Sequence, residues 1–346
     1  MKPEANNQPQ DTSYRFSVAP MMDYTDRHFR VLMRQISRHS LLYTEMVVAQ
    51  AIHHACREPG AARPGGRLER LLGFDPSERP LVLQVGGDDP LLLSQAAKMA
   101  AAWGYDEINL NVGCPSDKVQ KGRFGACLMA DPTQVADCVG AMVAASDLPV
   151  TVKHRIGIDH RDTYGELLAF VDTVATAGAS RFSVHARKAW LKGLDPKQNR
   201  TIPPLRYDWV HRLKFDRPHL TVEVNGGLLS LEDCLVQLQH VDGTMVGRAV
   251  YDHPLRWAAV DAHIHGQPLP ARATAASVVR GLIPYAAQWC ERGNRLWPIA
   301  RHLVKVVEGV SGARHWRREL SERASDRQAG PEVLERAASQ LEQAQN

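Results

Sequence analysis

Short apolar runs recur along the first two-thirds of the chain. They are SVAPM (17–21), LLYTEM (41–46), LVLQV (81–85), EINLN (107–111), VTVKH (150–154), RFSVHA (181–186), TVEVNG (221–226) and TMVGRA (244–249). Several are near-continuous in Val, Ile and Leu, the pattern of parallel strands buried on both faces. Helix-like segments separate most of them. Pro90 to Trp103 has proline at its start and Gly104 after its end. Asp131-Pro132 supplies an N-cap and a first helical residue for a second. Tyr164 to Ala177, closed by Gly178, is a third, and Ser230 to His240, with Asp233 three residues after the serine, is a fourth. Eight strands alternating with helices over about 250 residues predict a (β/α)8 TIM barrel. The competitor, a doubly wound open sheet, usually has fewer strands and a glycine fingerprint after the first. This chain has Ala19-Pro20-Met21-Met22-Asp23 there instead.

The β pattern stops near residue 268. GQPLPARATA reads as a linker, and residues 275–326 read as helices. The expected organisation is therefore a disordered leader over 1–14, the barrel over 15–268, a basic all-helical domain over 269–328 and a flexible tail over 329–346. Apolar residues make up 44% of the 346, enough for a large core. No run of about 18 apolar residues exists to cross a membrane, and the polar N-terminus lacks the apolar stretch of a secretory signal. The six cysteines form no CxxC pair and suit a reduced, cytoplasmic protein. Charge is uneven: residues 271–330 carry 11 Lys/Arg against 5 Asp/Glu, so the helical segment is a candidate polyanion-binding face. That one-sided segment suits a monomer presenting a single face to its partner.

In a barrel, chemistry collects at the C-terminal strand ends. There stand Pro20, Met21 and Met22; Glu45; Gln84 with Gly86-Gly87; Asn109, Asn111 and Cys114; Lys153, His154 and Arg155; His185 and Arg187; Asn225-Gly226-Gly227; and Gly247-Arg248. A ring of such groups is costly to bury unpartnered, which favours a site over mere capping. The last two ends sit where barrels commonly bind phosphate, with glycines for close backbone approach and Arg248 as a fork for the anion. Lys153 and Gln84 suit the polar edge of a planar ring, and Met21 and Met22 its face. Flavin mononucleotide (FMN) fits this description, and a sugar phosphate is not excluded by it.

The motifs APMMDYTDRHFR (19–30), LQVGG (83–87), INLNVGCPSDKVQKGRFGACLM (108–129), VTVKHRIGID (150–159), SVHARKAWLKGLDPKQNR (183–200), EVNGG (223–227), DGTMVGRAVYDHP (242–254) and GARHWRR (312–318) closely resemble the flavin-dependent tRNA-dihydrouridine synthases, most of all their A-type branch. The likeness spans about residues 15–325. It implies FMN contacts at Pro20, Met21, Met22, Gln84, Lys153, His185, Asn225, Gly226, Gly227, Gly247 and Arg248. It implies Cys114 as general acid and Asn111 as a tRNA contact near the target base. Lys197, Arg200, Arg314 and Arg317 match positions that orient tRNA. NADPH is the implied reductant, D-loop uridines 20 and 20a the implied targets, and no metal is expected.

A thiol suits proton donation, since an ordinary pKa of roughly 8.5 leaves it mostly protonated near neutrality. A nucleophile would need a depressed pKa and an adjacent base, and a metal role needs ligands at spacing that Cys114 lacks. His53-His54-x-Cys56 reads as structural. The loop Lys121 to Gly125 is expected to move over the base on its glycines, carrying Cys114 with it. The target uracil must be extruded from folded tRNA. Arg314 and Arg317, three apart, share a helix face, while Trp297 and Trp316 read as packing residues more than stacking ones. Rival readings are another flavin barrel acting on a small enone or dihydroorotate, a non-catalytic tRNA-binding barrel, and an aldolase-like barrel with Lys153 as imine-forming lysine.

Overall fold

The computed structural model describes residues 12–269, 273–307 and 311–343, so most of the expected leader and part of the linker lie outside the described residues. Nine strands form one sheet: β1 (Phe16–Val18), β2 (Leu41–Tyr43), β3 (Val47–Val48), β4 (Leu81–Gly86), β5 (Glu107–Val112), β6 (Val150–Arg155), β7 (Arg181–His185), β8 (Thr221–Asn225) and β9 (Gly243–Val246). The order runs β2-β1-β9-β8-β7-β6-β5-β4, and β4 pairs back to β2, with the two-residue β3 as a further partner of β4. Every pairing is parallel. The result is a closed eight-stranded barrel with helices between the strands, as the eight runs predicted.

The helix signals act as expected. Asp89 caps Pro90–Trp103, and Gly104 ends it at φ 83°, a left-handed conformation that favours glycine. Asp131 caps Pro132–Val143, and Thr163 and Ser230 form capping boxes with Glu166 and Asp233. Burial follows the strand period of two. Ile108, Leu110 and Val112 pack outward among the helices, whereas Glu107, Asn109 and Asn111 point the other way. The lumen is therefore largely polar, with Ser17, Gln84, Thr151, Lys153, Arg181, Ser183 and Glu223 joined by a small apolar layer of Leu41, Tyr43, Val82 and Met245.

Beyond the barrel lie helices Ala275–Glu291, Trp297–Leu303, Ala313–Arg323 and Glu332–Gln343. They dock in part through the half-buried carboxylate of Asp26. Asp26 caps helix Arg27–Arg34, accepts from Arg301 Nη2 at 2.5 Å and meets His302 Nε2 at 3.0 Å. Burial works to raise its pKa, but the His302 and His28 contacts win and hold it well below the usual carboxylate range. Phe29, Tyr251 and His302 stack around this contact.

The tail departs from expectation. Residues 329–346 read as a flexible tail, with 331–346, rich in Gln, Glu and Ala, at most a frayed helix, whereas Glu332–Gln343 is a packed helix. Val333, Leu334, Ala337, Ala338 and Leu341 bury one stripe of it, and Arg280 forks onto Glu342 at 2.6 and 2.8 Å. The apolar positions recur at helical spacing, which composition alone conceals. Leu334→Ala should cost about 2–5 kcal/mol and lower the thermal midpoint; an unchanged unfolding curve would mean that the stripe carries no packing energy.

Candidate active site at the mouth of the barrel

The site rests on a chain of hydrogen bonds that climbs the lumen. At its top, Asn111 Oδ1 accepts from the backbone amides of Gly113 at 3.1 Å and Cys114 at 3.0 Å. With its oxygen committed, Asn111 donates Nδ2 to Gln84 Oε1 at 2.9 Å. Gln84 Nε2 donates to Asn109 Oδ1 at 2.8 Å, and Asn109 Nδ2 to Thr151 Oγ1 at 2.9 Å. Thr151 donates to Glu107 Oε1 at 2.6 Å, which also takes Arg181 Nη2 at 2.7 Å. Backbone donors at one end and a carboxylate at the other leave each amide a single orientation. Strand register makes this possible, since Gln84 pairs with Asn109, Asn109 with Thr151 and Asn111 with Lys153.

Around this column the mouth is rich in donors. Lys153 Nζ donates to Asn225 Oδ1 at 2.9 Å, and its other hydrogens have no partner among the described residues. Burial, and then the Arg155 charge, push the Lys153 ammonium down to about 8. Asn225 is held in turn by Met245 O at 2.8 Å. His185 is pushed far below its ordinary value by burial, then by Arg155, Lys153, Arg187 and Arg200, so it is neutral at pH 7. Its Nδ1 accepts from the Arg187 amide at 3.3 Å, which places the ring proton on Nε2, facing no protein acceptor. Gly226 and Gly227 take φ of 106° and 75°, and a Cβ on Gly226 would stand 3.1 Å from the His185 ring. Gly247 passes directly beside Met21, and Arg248, which starts a short helix there, has no ion pair among the described residues. Burial and Arg248 lower Arg200, and Arg248 acts on Arg187 in the same sense, so these cations share one field. The Arg187 Nε is buried without a partner. Such a set lacks a planar acceptor and an anion.

Cys114 follows β5 and is half-buried, with Sγ 3.5 Å from Ser116 Oγ. Its carbonyl accepts from Ala126 at 2.9 Å, and a buried Phe124 anchors the far end of its loop. Lys118, Lys121 and Arg123 are exposed on that loop.

The profile of the dihydrouridine synthase (Dus) family matches residues 17–343. The chain is 54% identical to the tRNA-dihydrouridine(20/20a) synthase of Synechocystis over 93% of its length and 92% of that protein's. It is 52% identical to the enzyme of the same name from Xanthomonas campestris, covering 94% and 93% of the two chains. It is 51% identical to that of Escherichia coli K12, covering 94% and 91%. The chain belongs to the dihydrouridine synthase family.

In this dihydrouridine synthase the residues read from sequence fall into three groups. Gln84, Asn111, Cys114, Lys153, His185, Asn225, Gly226, Gly227, Gly247 and Arg248 lie at the C-terminal strand ends, with Pro20, Met21 and the more exposed Met22 on the loop after β1. Lys197 and Arg200 are exposed at a turn on the long loop after β7. Arg314 and Arg317 stand apart, both exposed on helix Ala313–Arg323 and neither paired with a carboxylate among the described residues. Trp316 is core, donating its indole N–H to Leu303 O at 3.0 Å. His154 does not join the mouth, because the strand period turns it outward, where it packs on Phe170 and Phe182 and burial pushes it to about 4. His53 bonds Gln95, and no group of three or more candidate ligands is placed for a metal among the described residues.

Sequence reading passed over Asn199. Its Oδ1 accepts from Trp190 N at 2.7 Å, and its Nδ2 donates to the carbonyls of Trp190, Leu194 and Asp195 at 2.9, 3.1 and 3.3 Å. A lone asparagine in a polar loop gives no local signal of this. Asn199→Ala should free the loop and cost about 1–3 kcal/mol. Hydrogen exchange at the Trp190 amide should rise several-fold, and unchanged protection there would show that the loop is held by other bonds.

Proposed function

We propose that the protein is a tRNA-dihydrouridine(20/20a) synthase that holds FMN at the barrel mouth, takes its electrons from NADPH and acts on D-loop uridines as a cytoplasmic monomer. The observation that carries this reading is a half-buried thiol set beside a donor-rich, acceptor-poor mouth, in a chain about half identical to enzymes of that name over nearly their full length. The unpartnered donors fit the group. Lys153 and Gln84 would meet the acceptor edge of the flavin ring, and His185, Arg248 and the glycines at 226, 227 and 247 its phosphate end. Bound there and reduced by NADPH, the flavin supplies a hydride for C6 of the uracil.

The chain's own groups do the rest. Cys114 gives its proton to C5 from the other side, so that hydride and proton together saturate the double bond. Lys153, Arg155 and Arg200 lie close enough to feel the charge left on sulfur. Asn111 fixes where the sulfur stands through the Cys114 amide. Lys197, Arg200, Arg314 and Arg317 would track RNA phosphates around the extruded base.

Two outcomes are expected. The purified protein should show a flavin band that NADPH bleaches and unmodified tRNA restores without oxygen. In Cys114→Ala bleaching should persist, while restoration slows by about 10²–10⁴-fold. A bleached band that tRNA leaves unrestored in the wild type would move the substrate elsewhere, and a protein that takes up no flavin would end the redox reading. The second concerns pH. FMN binding favours the Lys153 ammonium, so affinity should be flat below pH about 8 and fall above it as the free protein loses that proton. Lys153→Met should abolish this slope in a fluorescence titration, and a slope retained in the variant would assign it to another group.

A further inference from the structure

Arg155 ends β6 and is 4% exposed, yet no carboxylate partners it among the described residues. Its Nε donates to Gly113 O at 3.0 Å, and its Nη1 to Lys188 O and Asn199 O, both at 3.0 Å. A buried cation is thus committed to three carbonyls from two different loops. One is the residue before Cys114. The others belong to the loop after β7 that carries Lys197 and Arg200. A second bracket lies on the other side of the thiol: Gln120 Nε2 donates to Pro115 O at 2.8 Å and Leu191 O at 2.9 Å. Cys114 is therefore tied to the 188–200 loop through the residues immediately before and after it. Asn199 makes that loop a shaped unit, and Asp159 fastens it to the β6 loop through Leu191 N at 2.8 Å. Charge-assisted bonds from a fixed guanidinium fork hold geometry that a flexible ammonium would not.

We propose that Arg155 is a positioning residue that locks the Cys114 loop to the 188–200 loop, so that RNA contact at Lys197 and Arg200 sets the thiol against C5 of the uracil. This inference rests on the synthase reading above. Among the described residues Arg155 donates only to carbonyls, those of Gly113, Lys188 and Asn199.

The test uses the flavin-loaded enzyme as wild type, Arg155→Ala, Arg155→Lys and Gln120→Glu. Each is reduced with NADPH without oxygen and mixed with unmodified tRNA at several concentrations. Flavin absorbance then separates the maximal reoxidation rate from the apparent affinity. NADPH bleaching of each flavin-loaded variant is recorded first, and reoxidation by tRNA is compared with it. The maximal reoxidation rate should fall about 10²-fold in R155A, as a misplacement of about 1 Å would give. R155K should recover part of it, and the solvent deuterium effect on reoxidation should be larger in R155A than in wild type, since only the proton-transfer step is displaced. Q120E, which sets a carboxylate against two carbonyls, should slow the same step. A wild-type maximal rate in R155A, or a defect confined to tRNA affinity, overturns the inference while the synthase reading stands. Loss of flavin from both R155A and Q120E also overturns it, by making the brackets a requirement of folding. A wild-type enzyme that tRNA does not reoxidise sinks the synthase reading itself.

Discussion

The constraint on which the rest depends is the orientation of three side-chain amides inside the barrel. Asn111 must offer oxygen to two backbone amides, and Thr151 must give its proton to Glu107. Between those fixed ends, Gln84 and Asn109 have no freedom left. A half-satisfied buried network costs more than an apolar core, whereas a complete one specifies a single arrangement. This one delivers its specificity at the Cys114 amide, where the backbone leaves β5. The column also decides what faces the mouth: with Gln84 Oε1 taken by Asn111, the remaining Nε2 hydrogen of Gln84 is a donor, like Lys153 and His185.

That bias toward donors links the fold to its ligand. Lys153, Arg155, Arg187, Arg200 and Arg248 depress or crowd one another at the mouth, and Glu223, the acid that attracts Lys153, lies buried beneath it with Ser17 and Ser183. Unpaired like charges raise the free energy of the empty site and are relieved by an acceptor-rich anion. Burial and a neighbouring cation would also activate an imine-forming lysine; what favours the flavin role for Lys153 is the family to which the chain belongs.

The barrel was legible because eight runs of buried strand and their capped helices each carry a local signal. Most of the strand-end set was legible for the same reason, as position along a strand maps onto height in the lumen. The polar floor was less so. Glu107, Thr151, Arg181 and Glu223 sit at positions of their runs that carry no local signal of the lumen, and only the period of two turns them inward. The same period turns His154 outward. Net charge was a poorer guide. Of the cations in the helical segment, Arg280, Arg301, Lys305, Arg318 and Arg323 are engaged with Glu342, Asp26, Asp252, Glu322 and Glu319. Counting charges cannot separate these from Arg314 and Arg317, because pairing depends on partners distant in the chain or a helical turn away.

The loop after Cys114 shows how one residue type carries two messages. Its glycines were read as hinges. A Cβ on Gly122 would lie 2.4 Å from the Phe124 ring, and one on Gly125, at φ 77°, 2.6 Å from the Cys114 carbonyl oxygen. A Cβ on Gly86, at the end of β4, would lie 2.6 Å from the other edge of the same ring. These glycines are sites of close approach that seat Phe124 between two strand ends and draw the chain back against the thiol. Lys118, Lys121 and Arg123 on the stretch between Asp117 and Arg123 face solvent. The sulfur is held from the lumen by Asn111, from β6 by Arg155 through Gly113, and from its own loop by Ala126. A proton donor that must meet one carbon of an extruded base needs such rigidity, because proton transfer across even a small misalignment is slow.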